Sequence, residues 1–567
     1  MIVVVAPPAR SRGSGGGREA LVAVAQLRLM ILSILFGAGV LAILVKLAFL
    51  ALSAGPASPR DLSNALVPAR GDIVDRNGTP LARSIDAWTI AIHPNQVIGD
   101  KAALAQKLAE LMPERSQSQY YALLKAGGGF AFLKRRALPE LVNQVNALGE
   151  PAIEFQRETD RLYPQSDMAA HVLGYLDDKG HGVTGMEKVL EARLTDPAQR
   201  GKPVTLSLDA RVQAALESEL GRAMVDLQAR GAAAVVLDVH TGEVVAMASL
   251  PSFNPNQLGG PPPRNNVTQS VYELGSTFKP IAVATAIDSG TITSMSRRFD
   301  ATAPMKVGRF TIHDDRGDEQ FRWLNIPETL IYSSNIATAR IADELGAEKM
   351  QDMFRRLGFD QRPSIEIGAV RPLWPANWGR ITVMTTAYGH GIAVTPLHLA
   401  AAYAAMVNGG VWHPATLMKV DAEHPVRGRR VLQESTSYRM RQLLRLIVLK
   451  GTGRKGEAPG YRVAGKTGTA EAASEGGYDH HRNVSTFAVT FPVDAPRYVV
   501  VAMLDSPKAN ANTPRTTAAW TVAPVVSRLI ARTGALLGIA PDNAKDIDES
   551  ELLPLVDRSP EPKASAE

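Results

Sequence analysis

The sequence contains no cysteine. This absence excludes disulfide bonds, thiolate metal sites and a cysteine nucleophile, and it suits an exported protein, in which thiols would mispair. Net charge is also small, because 62 Lys and Arg residues stand against 56 Asp and Glu residues. No basic run interleaved with aromatic residues occurs, so nucleic acid is not an expected partner. No period of about 20 to 50 residues recurs, which argues against solenoids and propellers.

One long apolar stretch near the N-terminus predicts a membrane-spanning helix. Residues Leu29–Val45 carry no charge, and apolar residues continue beyond Lys46 to Leu52. The stretch is long enough to cross a bilayer, and a lysine near its end can extend its ammonium to the interface. We therefore expect a transmembrane helix over residues 29–52.

The charges on either side of this stretch predict its orientation. Only Arg60 follows it closely. The positive-inside rule then places a tail of residues 1–28 in the cytoplasm and the rest of the chain outside. A cleaved signal peptide ending near Ala51–Ala54 is the alternative, but the length of the apolar stretch favours a retained anchor. The arginines that precede the stretch are Arg10, Arg12, Arg18 and Arg28.

The remaining 500 or so residues should form two or more folded domains. A chain of 567 residues with 45% hydrophobic composition is too long for a single compact core. Residues 60–202 mix short β-like runs, such as Trp88–Ile92, with helical patterns over 102–111 and 138–148, as in an accessory α+β module. Residues 203–535 show longer strands alternating with helices. Composition predicts disorder for residues 1–20 and 541–567.

Two hairpins indicate a central antiparallel sheet in the second module. One pairs 232–239 with 243–249, and the other pairs 484–491 with 497–504. The predicted fold class is therefore α+β, with helices flanking this sheet. Helical patterns occupy 279–287, 337–345, 397–407 and 522–533.

The strongest candidate for chemistry is a serine paired with a base. A hydroxyl needs a nearby base to become a nucleophile. Ser276 and Lys279 form the chain's only Ser-x-x-Lys, at the start of a helical pattern that puts both residues on one face. Taken alone this motif is weak, because about one such match arises by chance in a chain of this length. A surface serine is then the ordinary interpretation.

Two further motifs follow in order and strengthen the assignment. Ser333-Ser334-Asn335 comes first, and Lys466-Thr467-Gly468-Thr469 contains the only Lys-Ser/Thr-Gly of the chain. Taken separately, each motif is equally compatible with a turn or a helix cap. Together, they provide a lysine for a carboxylate and a glycine that permits a substrate to approach a strand closely.

The ordered set resembles the signature of penicillin-binding proteins and serine β-lactamases. Three earlier segments extend the resemblance to class B penicillin-binding proteins: Arg70–Gly78, Arg161–Pro164 and Gly182–Glu187. In that class they belong to an N-terminal pedestal and join it structurally to the transpeptidase domain. The chain departs from the class at Leu274, where proline is common. It has no room before Arg70 for a glycosyltransferase domain.

The resemblance implies a serine-type D-Ala-D-Ala transpeptidase that crosslinks peptidoglycan stem peptides without a cofactor. Lys279, its pKa lowered by desolvation and by Lys466, would activate Ser276, and Ser333 would pass the proton to the leaving group. The amides of Ser276 and Thr469 would stabilise the oxyanion. Asn335, Thr467, Gly468 and Thr469 would bind substrate, and β-lactams would acylate Ser276.

The same resemblance implies a location and partners. A division-type enzyme of the cell inner membrane is expected, with its catalytic domain in the periplasm. Its partners would be a polytopic glycan polymerase and other division proteins, contacted through the membrane helix and pedestal. The alternatives are an elongation-type transpeptidase, a D,D-carboxypeptidase or β-lactamase, and a catalytically inert scaffold of the division machinery.

No metal site is expected from the histidines. His480 and His481 are adjacent but lack further ligands at useful spacing, so a solvated loop is the favoured interpretation. His313 and His390 are interpreted as structural or cleft-lining residues.

Overall fold

The apolar N-terminal stretch forms one long helix. The computed structural model describes residues 16–53, 70–421, 423–474 and 477–556. Its first helix, α1, spans Gly16–Ser53. Within α1, Ala23–Phe49 is long and apolar enough to cross a membrane, and no other helix of the described ranges is.

The start of α1 corrects the prediction of disorder for residues 16–20, and residues 1–15 lie outside the described ranges. The chain is helical from Gly16, whereas disorder was predicted through residue 20 and the membrane helix from residue 29. The physical reason lies in residues 18–28, which are mostly Ala, Leu, Val, Gln, Glu and Arg. Most of these residues have high helix propensity, and they outweigh the polar character of the segment.

Residues Pro68–Glu567 form the second compact unit of the chain. The predicted boundary between residues 202 and 203 inside this unit stays a prediction. The first part of the unit contains a sheet in which β2 pairs with β1, β3 and β4, while β1 pairs in parallel with β5. Its strands are β1 Ile73–Val74, β2 Pro80–Ile92, β3 Ala131–Ala137, β4 Ile153–Leu162 and β5 Val204–Thr205.

Helices cover one end of this sheet and give it a small core of its own. Ile90 and Ile92 of β2 pack with Leu104, Leu108 and Leu124. The predicted strand 88–92 and both predicted helices of this region are confirmed. The helices of this core are α2 Lys101–Leu111, α3 Gln117–Lys125 and α4 Pro139–Asn146. Three shorter helices follow and contribute to a different, larger core: α5 Ala170–Leu173, α6 Gly185–Val189 and α7 Glu191–Thr195.

A turn after β1 fastens this pedestal region to the following part of the chain. The Asp75 carboxylate accepts a hydrogen bond from the Ala210 amide at 3.0 Å, and Asn77 donates to the Asp209 carboxylate at 3.0 Å. Arg76 forms an ion pair of 2.9 Å with Glu243. The structural role expected for Arg70–Gly78 agrees with these contacts.

The central sheet has the strand order β14-β15-β16-β6-β7, and all its pairs are antiparallel. Both predicted hairpins are present. The strands are β6 Gly231–Asp238, β7 Val244–Leu250, β14 Ala464–Ser474, β15 Gly477–Phe491 and β16 Tyr498–Asp505. Because β14 ends the order, one of its edges has no strand partner in the described part of the chain.

Side chains of β6 alternate between two hydrophobic cores, as the pleat of a strand requires. Ala233 and Val235 belong to the larger core, and Ala234 and Val236 to the smaller one. Burial on both faces explains why these strands read as almost continuous apolar runs. The smaller core is covered by α8 Ala210–Asp226 and α17 Ala523–Thr533.

The larger core contains the helices that carry or support the candidate site. They confirm the helical patterns predicted within residues 279–407. These helices are α9 Lys279–Asp288, α10 Ile326–Ile331, α11 Asn335–Leu345, α12 Ala347–Arg356, α13 Arg380–Thr386, α14 Pro396–Val407 and α15 Glu434–Lys450. Short strands join them: β8 Arg298–Asp300, β9 Met305–Val307, β10 Phe310–Ile312, β11 Trp323–Asn325, β12 Val411–Trp412 and β13 Arg429–Arg430. After β16 a short helix, α16 Ala518–Thr521, precedes α17.

Part of the segment predicted to be disordered at the C-terminus is packed. Ile547, Leu552 and Val556 are buried in the larger core, and α18 spans Leu553–Val556. The prediction of disorder is therefore wrong for residues 541–556, and residues 557–567 lie outside the described ranges. A few apolar residues of this acidic segment reach the larger core, which composition alone does not reveal.

Candidate active site

Ser276 lies at the junction of a short 3₁₀ turn and a helix. The turn spans Gly275–Phe278 and α9 follows at once, so Ser276 is held at the helix start. Gly275 has φ +54°, and a Cβ atom there would lie 2.8 Å from the carbonyl oxygen of Thr469. Glycine is therefore required for the turn to approach β14. Ser276 is 8% exposed, and Lys279 is fully buried.

Both lysines of the predicted site converge on Ser333. Lys279 Nζ donates to Ser333 Oγ at 3.1 Å and also to the Ser333 carbonyl oxygen. Lys466 Nζ donates to Ser333 Oγ at 2.9 Å and to the Thr467 carbonyl oxygen at 2.9 Å. Ser333 has φ +57°, a strained conformation for a non-glycine residue, so the surrounding contacts hold it in place. Three distant motifs thus form one connected cluster.

Burial sets the electrostatics of the two lysines. It lowers the pKa of Lys279 to about 8, against the opposing charges of Asp315, Asp314 and Asp318. Burial also lowers the pKa of Lys466 well below its usual value, and the neighbouring ammonium of Lys279 lowers it further. The predicted depression of the Lys279 pKa therefore arises from desolvation, while the lysine–lysine repulsion falls on Lys466.

A buried carboxylate supports the second motif. Asp314 accepts hydrogen bonds from Ser334 Oγ at 2.9 and 3.0 Å and from the Ile336 amide at 2.9 Å. Ser334 in turn caps α11 by accepting from the Ala337 amide. Asn335 is the first residue of this helix, and its amide donates to the His313 carbonyl oxygen at 3.0 Å and to Asp315 at 3.2 Å.

The third motif lies on β14, next to the serine turn. Thr467 Oγ1 donates to Thr452 Oγ1 at 2.7 Å, and Thr469 Oγ1 accepts from the Ala518 amide at 3.1 Å. Gly468 was predicted to leave room for substrate. A Cβ there would instead lie 2.4 Å from the Leu274 carbonyl oxygen, so the missing side chain permits the contact between β14 and the serine turn.

Sequence reasoning missed three supporting residues. Asp314 and Thr452 belong to no recognisable motif. Each forms its hydrogen bond with a residue more than ten positions away in the sequence. Tyr403 is buried in α14 and donates from its hydroxyl to the Thr277 carbonyl oxygen at 2.8 Å. The helical pattern over 397–407 predicted the helix that carries it, but this pattern contained no signal for that hydrogen bond.

The histidines are placed as follows. His313 contributes its carbonyl oxygen to Asn335, and the ring of His390 lies 3.3 Å from the Glu273 carboxylate. The side chains of His480 and His481 lie outside the described part of the chain. Among the described residues, no group of three or more His, Asp or Glu side chains is arranged to hold a metal ion.

A buried serine followed three residues later by a buried lysine, a second serine shared by two lysines and a neighbouring strand edge are together typical of a serine acyl-transfer site. Comparison with known proteins agrees with this class. The penicillin binding protein transpeptidase domain matches residues 232–527, and the penicillin-binding protein dimerisation domain matches residues 65–239. The chain belongs to the penicillin-binding protein transpeptidase family.

Individual relatives extend over most of the chain. A probable peptidoglycan D,D-transpeptidase FtsI of Caulobacter vibrioides is 39% identical, with 83% of this chain and 82% of the relative covered. The peptidoglycan D,D-transpeptidase FtsI of Escherichia coli K12 is 29% identical, with 86% of each covered. The structure of penicillin binding protein 3 from Mycobacterium tuberculosis, complexed with aztreonam, superimposes with a TM-score of 0.65 at 27% identity, covering 84% of this chain and 98% of that one. The predicted family and fold class are confirmed.

Proposed function

We propose that this chain is a division-type peptidoglycan D,D-transpeptidase that works through an acyl-enzyme on Ser276. The observation that carries the proposal is the single buried cluster of Lys279, Ser333 and Lys466 beside Ser276. The relatives named D,D-transpeptidase FtsI support the reaction and the division role. This is the function predicted from sequence, and the comparisons confirm it at the level of enzyme class.

The first step would be attack by Ser276 on the carbonyl between two terminal D-alanines. Neutral Lys279 accepts the Ser276 proton, and its lowered pKa makes the neutral form accessible near physiological pH. The Ser276 Oγ–C bond forms as the C–N bond to the last D-alanine breaks. The amides of Ser276 and Thr469 stabilise the oxyanion between them.

Ser333 is suited to deliver the proton to the departing D-alanine. Its hydroxyl accepts hydrogen bonds from Lys279 and Lys466, so the proton that Lys279 has taken can pass through it to the leaving nitrogen. An amine of a neighbouring stem peptide then attacks the acyl-enzyme carbonyl. The new C–N bond forms, the Ser276 Oγ–C bond breaks, and the proton lost by the amine returns to Ser276 through Lys279. A β-lactam acylates Ser276 in the same way, but its ring opens without releasing a leaving group.

Substrate would lie along the free edge of β14. An extended peptide adds to such an edge through backbone hydrogen bonds. Thr467 and Thr469 would bind the terminal carboxylate, beside Lys466. Asn335 would hold a substrate amide, after its own side-chain amide leaves Asp315. Gly468 contributes through its backbone and through the close packing of β14 on the serine turn.

The proposal includes a location and partners. The single apolar helix α1 supports membrane anchoring. We place the enzyme in the cell inner membrane with a cytoplasmic N-terminus and a periplasmic catalytic domain. The domains proposed for this arrangement are a pedestal over 60–202 and a transpeptidase domain over 203–535. A polytopic glycan polymerase and other division proteins are the proposed partners of α1 and the pedestal.

The reaction can be tested on glycan strands. The full chain, beside Ser276→Ala, is mixed with a glycan polymerase and its lipid-linked pentapeptide substrate, and the muropeptides are analysed by mass spectrometry. We expect crosslinked dimers with the wild type alone, and one D-alanine released for each crosslink. Tetrapeptide monomers alone would instead indicate a D,D-carboxypeptidase. Untouched pentapeptides in both samples would indicate an inert scaffold.

A further inference from the structure

The described part of the C-terminal segment, residues 541–556, crosses the elements that present Ser333 and Lys466. We call this segment the C-terminal strap. It lies beyond residue 527, where the match to the transpeptidase domain ends. We propose that the strap is a positioning element of the active site, which holds Ser333 and Lys466 in register with Ser276. This inference rests on the roles proposed above for Ser333 and Lys466.

The middle of the strap binds a buried arginine that also contacts the start of β14. Arg445 of α15 is 1% exposed at its side chain, and its guanidinium donates to both oxygens of Asp546 at 2.7 to 3.0 Å. Another nitrogen of the same guanidinium donates to the Val463 carbonyl oxygen at 2.9 Å. Val463 directly precedes β14, in which Lys466 is the third residue. Asp546 thus fixes the guanidinium of Arg445, and this guanidinium holds the beginning of β14.

Glu457 completes the coordination of this arginine. Its carboxylate accepts from Arg445 at 2.5 and 2.9 Å. The Glu549 carboxylate of the strap lies 3.8 Å from Arg445. A planar guanidinium held on two sides by carboxylates has little rotational freedom, so its hydrogen bond to Val463 has a fixed direction.

The end of the strap contacts the helix that leads to Ser333. The Asn325 side chain caps α10 by accepting from the Glu328 amide at 2.9 Å, and it donates to the Leu555 carbonyl oxygen at 2.9 Å. Helix α10 ends at Ile331, two residues before Ser333. One asparagine therefore links the strap to the start of a six-residue helix whose other end presents the serine.

Helices α10 and α15 also meet at their C-terminal ends. A Cβ atom on Gly451 would lie 2.7 Å from the Ile331 carbonyl oxygen, so the two backbones are packed too closely there for a side chain. A movement of α15 would consequently be transmitted to the segment that carries Ser333. Burial of Ile547, Leu552 and Val556 fastens the strap across both helices. The strap therefore restrains the Ser333 and Lys466 side of the cluster, whereas Ser276 and Lys279 belong to α9 and its preceding turn.

The test compares the full chain with a chain that ends at residue 540. A fluorescent penicillin is used to measure the dissociation constant of the first complex and the rate constant of acylation separately. Because small displacements of catalytic groups cost rate, we expect the acylation rate constant to fall about tenfold or more, with a smaller change in the dissociation constant. A synthetic peptide of residues 541–556 should restore the rate, which a general loss of folded protein would not permit.

Point variants cover the case in which the shortened chain does not fold. Asp546→Ala should slow acylation, whereas Glu551→Ala should not, because Glu551 is mostly exposed and pairs only at the surface with Arg439 at 2.8 Å. Acylation at the wild-type rate by Asp546→Ala would overturn the proposal, as would a wild-type rate in a folded chain ending at 540. A wild type that takes no penicillin would overturn the proposed function and this proposal with it.

Discussion

Replacing Lys279 with alanine is expected to slow acylation of Ser276 by roughly a hundredfold to ten-thousandfold, the usual contribution of a positioned general base. The reason is geometric and electrostatic. Lys279 is fully buried and bonded to Ser333, and burial lowers its pKa to about 8. It is therefore the base that we propose for Ser276, three residues before it in the chain. The measurement is the rate of covalent labelling by a fluorescent penicillin.

The pH profile distinguishes a base from a structural lysine. The neutral amine is the active form, so labelling of the wild type should rise with pH through about 8 and then level off. Between pH 7 and pH 9 the neutral fraction grows about tenfold, and the rate should follow it. The Lys279→Ala variant should lose this rise. Lys349→Ala is the matched control, because that ammonium is exposed and donates to Thr291 Oγ1 at 3.0 Å. A wild-type rate and profile in Lys279→Ala would contradict the assignment.

Replacing Glu187 with alanine is expected to destabilise the pedestal by about 3–5 kcal/mol, the cost of leaving buried charges without their partner. The Glu187 carboxylate is fully buried between Arg70 and Arg161, each at 2.7 Å. The Tyr163 hydroxyl also donates to it at 3.3 Å. Its removal leaves two arginines buried among groups that solvate them incompletely. Thermal or denaturant unfolding of the chain from residue 55, which lacks α1, measures the loss.

Glu191→Ala provides the comparison for Glu187. Glu191 also pairs with Arg70 at 2.7 Å, but its side chain is 32% exposed, so water can replace it. A loss of about 1 kcal/mol or less is expected for a partly exposed pair. Equal losses in the two variants would show that burial of the charge cluster is not what stabilises the pedestal.

The catalytic motifs were predictable because their spacing carries local information. Ser276 and Lys279 are three residues apart, and the second and third motifs follow in a fixed order. The strands of the central sheet were also predictable, since apolar runs such as those of β6 and β16 are bounded by clear turns. These features depend on neighbours in sequence.

The features that were missed depend on contacts between distant parts of the chain. Asp314 bonds to Ser334 across 20 residues, and Asp546 bonds to Arg445 across 101. Nothing near either aspartate distinguishes it from a solvated acid. The acidic composition of 541–556 predicted disorder for the same reason. Composition does not reveal that a carboxylate of this segment pairs with the buried guanidinium of Arg445. Gly468 was recognised, but only the structure shows which backbone it approaches.

The central claim, that Ser276 is the acylated nucleophile, is tested most directly by intact-mass analysis after exposure to benzylpenicillin. The wild-type chain from residue 55 should gain the mass of one whole penicillin, because the β-lactam ring opens without loss of atoms, and peptide mapping should place it on Ser276. Ser276→Ala, shown to be folded by its unfolding temperature, should gain nothing. An adduct on the variant, or one mapped to another residue of the wild type, would contradict the account.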